Sequence, residues 1–61
     1  MTLENLRDHC RGVIQQYPHL KESVTDLFVL CINEIEEGGS ESHEVELCYN
    51  DLEELLKEES E

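Results

Sequence analysis

The chain has 61 residues, sixteen of them acidic against four basic, for a net charge of −12 at neutral pH; 38% of its residues are hydrophobic and 33% charged. A chain this short makes a single domain that buries only about 60% of its unfolded surface, which excludes a nucleotide-binding fold, a separate substrate domain or a deep catalytic cleft. The mixture of apolar and charged residues is that of a folded helical chain, not a disordered one.

The charge is unevenly spread. Residues 1–32 hold Glu4, Asp8, Glu22 and Asp26 against Arg7, Arg11 and Lys21. Residues 33–61 hold twelve carboxylates against Lys57 alone. A field of that sign repels phosphate backbones and anionic lipid, which argues against nucleic acid or a membrane surface as partner, and it steers basic proteins inward. The bland alternative is that acidity only keeps a small domain in solution.

In chain order, Thr2 is a candidate N-cap, with Glu4 in the first turn where a carboxylate suits the helix dipole. Leu3, Leu6, Cys10, Val13, Ile14 and Tyr17 then recur on one face, which predicts a helix over 3–16. Gly12 weakens its middle, and Pro18 disfavours helical geometry at Tyr17, so the helix stops near Gln16.

Pro18 suits the first turn of a second helix, expected over 19–37. Its apolar residues Leu20, Val24, Leu27, Phe28, Cys31, Ile32 and Ile35 cover an arc of about 140°, wide enough to meet two neighbours. Gly38 and Gly39 end it, one of them taking the left-handed C-cap conformation.

Ser40 caps a third helix expected over 41–57, with Val45, Cys48, Tyr49, Leu52, Leu55 and Leu56 as its inner stripe and 58–61 frayed. The run 43–48 also alternates polar and apolar residues like a short strand, and Asn50 with Glu53 could open a shorter helix. A lone strand has nothing to pair with inside this chain, so one continuous helix is the expectation. The fold class that follows is all-α, a small up-down-up three-helix bundle in one domain.

Each cysteine lies on the inner stripe of a different helix. An odd count with no close pair suits a reducing compartment, and buried cysteine packs as a small apolar group. Residues equally far from the glycine turn share a height in an antiparallel pair, which sets Cys31 opposite Cys48 and leaves Cys10 further away. A zinc site lacks ligand pairs at the usual spacing, and His9, His19 and His43 read as surface residues. Residues 33–44 have the length of an EF-hand loop, but Ile35 stands at its third position, where a ligand oxygen is needed. No cofactor or metal is expected. Ser40, Ser42 and His43 are neighbours without an oriented base or an oxyanion site, so no enzyme activity is expected.

Val29 and Leu30 lie outside the main apolar arc of the second helix, and Leu47 lies outside that of the third. Leu30 and Leu47 sit at similar height from the turn. With Glu36, Glu37 and Glu44 around them, these residues form the candidate partner patch Val29, Leu30, Leu47, Glu44, Glu36 and Glu37.

The segments EIEEGGSESHEVELCYNDLEEL and YPHLKESVTDLFVLC resemble small acidic proteins of T4-like marine bacteriophages. The resemblance implies an accessory protein acting in an infected bacterial cell and carries over no functional residue. The first residues are not those of a signal peptide and no apolar run reaches 18, so a cytoplasmic location without a membrane span is expected. The expected function is a small acidic interaction module, accessory or inhibitory, that docks on a basic protein surface. The alternative is a self-associating helical module in which the same apolar residues meet a second copy, giving a homodimer.

Overall fold

A helix starts where its first N–H groups find an acceptor, and here that acceptor is the Thr2 hydroxyl, which takes the Asn5 N–H at 3.1 Å. From this cap α1 runs Leu3–Gln16 with Glu4 in its first turn. The computed structural model describes residues 2–60.

Tyr17 leaves the helical region, at φ −129°, ahead of Pro18. The chain does not enter the second α-helix at residue 19, as the sequence suggests. It first makes a 3-10 turn, Pro18–Leu20, closed by the Leu20 N–H to the Tyr17 carbonyl at 2.9 Å. The tighter turn lets Pro18 keep its fixed φ while Leu20 still reaches the core, where it is buried. Helix α2 then spans Lys21–Glu36.

The turn after α2 is a Schellman motif. The Gly38 N–H bonds the Ile35 carbonyl at 3.1 Å and the Gly39 N–H bonds the Glu34 carbonyl at 2.9 Å. Gly38 sits at φ +107°, a region that side chains disfavour. Gly39 is needed for a different reason: a Cβ there would lie 2.7 Å from the Glu34 oxygen. The chain reverses within residues 37–40, and α3 opens with the Glu44 N–H on the Ser40 carbonyl at 2.9 Å.

Helix α3 is one unbroken element, Glu41–Ser60. The strand-like alternation at 43–48 does not become a strand, because no partner strand exists among the described residues. The helix also outruns its expected end at 57. Glu59 is held by His19, whose Nε2 lies 2.6 Å from the Glu59 Oε1. That contact joins the 3-10 turn leading into α2 to the end of α3, as an antiparallel pair of helices requires. Residues 58–60, expected to fray, are helical; Glu61, the last of that stretch, lies outside the described residues.

The result is an all-α, three-helix bundle. Its buried core is Leu6, Cys10, Val13, Leu20, Val24, Cys31, Val45, Cys48 and Leu52, drawn from all three helices and the 3-10 turn. These are small and medium side chains, and no polar residue is buried among them. Phe28, Tyr17 and Tyr49 pack only against its edge. Ile32, expected in the inner stripe, is half-buried at the mouth of a surface hollow beside Leu3, Arg7 and Phe28. No described helix is long and apolar enough to cross a membrane.

Candidate functional site

Two antiparallel helices pack through facing stripes, and the side chains at the margin of each stripe border a seam open to solvent. Between α2 and α3 the seam carries two hollows. One, of about 310 Å³, is lined by Leu27, Leu30, Cys31 and Glu34 from α2 and by Glu44, Leu47, Cys48 and Asp51 from α3. The other, of about 460 Å³, continues toward the His19–Glu59 end and shares Leu27, Leu30 and Asp51 with the first. Together they form one groove along the helix pair.

Its walls are apolar and its rim is acidic. Leu30 and Leu47, 56% and 44% exposed, are two of three large hydrophobic side chains left open among the described residues. Six carboxylates border the groove: Asp26, Glu34, Glu44, Asp51, Glu54 and Glu58. No Lys, Arg or His lines either hollow.

The structure divides the candidate patch. Leu30, Leu47 and Glu44 line the first hollow. Val29 is equally open, at 47%, but lines neither hollow, because consecutive residues of a helix point about 100° apart. Glu36 and Glu37 are exposed at the end of α2 and line neither hollow. Five of the six rim carboxylates, Asp26, Glu34, Asp51, Glu54 and Glu58, were not in the candidate patch. Leu27, read as part of the inner face, packs against the core as expected and, half-buried, also lines both hollows. The signal for Glu34 was present: it lies four residues after Leu30, one turn along the same face.

The floor of the first hollow meets the cysteines. Cys10, Cys31 and Cys48 are all buried and free. The Cys48 thiol donates to the Leu27 carbonyl at 3.6 Å and also reaches the Cys31 sulfur. Burial pushes the Cys48 thiol up to about 12, helped by the negative charge that Cys10, Cys31 or Asp51 would present to a thiolate. Cys10 and Cys31 are raised too, by burial first and then by the neighbouring thiol or by Glu44. All three therefore stand as neutral thiols near pH 7, poor nucleophiles and poor metal ligands. Cys10 lies within electrostatic reach of the other two. Among the described residues no group of His, Cys, Asp and Glu is arranged to hold a metal ion.

The histidines differ more than the sequence suggests. His43 is exposed, and His19 is exposed and engaged with Glu59. His9, read as a surface residue, is half-buried with its ring 5.0 Å from that of Tyr49, and its Nε2 is enclosed without a hydrogen-bond partner. The cause is position: His9 precedes Cys10 on the edge of the α1 stripe that faces α3. Tyr49 donates its hydroxyl to Glu53, one turn on, and the carboxylate raises the phenol's pKa.

Fold and site together define a small acidic helical bundle with one apolar, acid-rimmed groove. Set against protein-family models, curated proteins and solved structures, the chain matches none.

Proposed function

We propose that the chain is a small interaction module, accessory or inhibitory in role, that docks on the basic surface of a protein partner through the α2–α3 groove. One observation carries this: Leu30 and Leu47 lie open on the same hollow, inside a border of carboxylates with no cation among its lining residues. The leucines supply apolar contact area, and the carboxylates select for a basic partner and speed its approach. The resemblance to phage proteins supports a role in an infected bacterial cell, with the partner a host or phage protein. Apolar walls inside an acidic rim are the chemistry of a binding surface, which supports the docking reading.

Self-association is the second reading, supported by the exposed leucines and by Val29 on another face. Two copies joined groove to groove would set like charges against each other, which weakens that reading. Sedimentation and salt-graded affinity purification separate the two. Docking on a basic surface predicts a monomer whose partner elutes as salt rises. An apolar homodimer predicts a dimer that persists or tightens in salt.

A further inference from the structure

We propose that the occupant of the α2–α3 groove is a cationic amphipathic helix of a partner protein, laid along the seam as a fourth helix of the bundle. The inference rests on the docking role proposed above and names the partner's form.

Three features of the groove select a helix. The lining positions of α2 fall at 23, 26, 27, 30, 31 and 34, and those of α3 at 44, 47, 48, 51, 54, 55 and 58. Each set contains a row at three- and four-residue steps, 23-27-30-34 on α2 and 44-47-51-54-58 on α3, so the groove is bordered by two side-chain ridges, the surface into which the ridge of another helix packs. Its length follows from the same numbers: at 1.5 Å per residue the two borders span about 17 and 21 Å, room for three to four turns. Finally, an extended strand docks by pairing with a free sheet edge and a polyproline segment by packing on aromatic side chains; no strand exists among the described residues and no aromatic residue lines either hollow. A helix satisfies its own backbone and needs only side-chain contacts.

Charge fixes the occupant's sign. The six rim carboxylates stand on both sides of the leucines. An occupant with leucine-like residues on one face and Arg or Lys on its flanks places apolar groups on Leu27, Leu30 and Leu47 and cations against the rim. A second copy cannot supply it. The Arg7 and Arg11 of α1 are offset by Glu4 and Asp8, and the apolar stripe of α1 is already buried in its own core.

The test uses two end-capped peptides of about fourteen residues, four turns, with the same leucine and arginine content. One spaces its leucines by three and four residues; the other scatters them so that no helical face forms. Each is titrated into the isotopically labelled chain at low salt, with amide shifts and peptide helicity read together. The inference predicts that the amphipathic peptide gains helicity and binds at least about tenfold more tightly than its isomer. It also predicts shifts along 23–34 and 44–58, and loss of binding in the exposed-site double variant Leu30→Ser/Leu47→Ser but not in Val29→Ser. Equal binding of the two peptides in the groove without gain of helicity would overturn the helical occupant and leave the docking reading standing. Binding of neither peptide, or shifts confined to another face, would overturn both.

Discussion

The three thiols of the core behave as apolar residues whose chemistry appears only when the bundle opens. Cys48 shows why: its ordinary pKa of 9.0 is raised to about 12 in the fold. Between those values the unfolded chain has released a proton that the native chain still holds, so stability falls as pH rises through this window. Below pH 9 the contribution is fully present. Denaturant unfolding from pH 8 to pH 11 should show that decline, and Cys48→Ala, although less stable at neutral pH, should show a shallower one; parallel curves would remove Cys48 as its source. A thiol reagent at neutral pH should likewise react at the rate of global opening. The glycines divide in the same concrete way. A Cβ on Gly12 meets nothing within 4 Å, so Gly12→Ala should stabilise the bundle by about 0.5–1 kcal/mol. Gly39→Ala drives its Cβ toward the Glu34 carbonyl and should cost about 1 kcal/mol or more. Thermal melts of the two variants that shifted in the same direction would contradict this division.

Among the helices, what could be read in advance depended on whether the cause was local. The bounds of α1 follow from Thr2 and Pro18, and those of the second turn from Gly38-Gly39, because each acts on its immediate neighbours. The start of α2 was less legible: Pro18 predicts that a helix begins nearby but not that its first turn is 3-10. The end of α3 was not legible at all: its last turn carries a contact between residues 40 apart, His19 and Glu59, which no local pattern announces. That pair is exposed, and such pairs contribute about 0–1 kcal/mol, so it should govern the last turn and not the whole bundle. His19→Ala is expected to speed amide exchange at 57–59 while leaving the global melt within a few degrees. Unchanged exchange in that turn would mean that α3 holds its end without His19. The groove follows the same rule. Leu30 and Leu47 could be paired by counting outward from the turn, whereas Val29 was grouped with them because it too lies outside the main apolar arc, and Glu36 and Glu37 as their acidic surroundings. Helical rotation separates Val29 from Leu30, and Glu36 and Glu37 lie at the end of α2, beyond the groove.

Taken as a body, the molecule is long and thin, 35 × 17 × 17 Å, about the length of α3 with its flanking turns. Its small core holds together a chain of net charge −12. Carboxylates crowded on the last 29 residues repel one another in the compact state more than in the expanded one. Sodium chloride near 1 M, where the screening length is about 3 Å, should therefore raise the melting temperature by several degrees over low salt. A melting point that does not respond to salt would show that the acidic surface costs the fold nothing.

The same acidity, placed around Leu30 and Leu47, is what the proposed docking role rests on. The most direct check compares what the wild-type chain, Leu30→Ser/Leu47→Ser and Val29→Ser each retain from a bacterial lysate at low salt, with elution by a salt gradient. Docking through the groove predicts a basic protein that is held by the wild type and by Val29→Ser, is released as salt rises, and is lost from the double variant. A partner held equally by the double variant, or one that stays bound near 1 M salt, would contradict it.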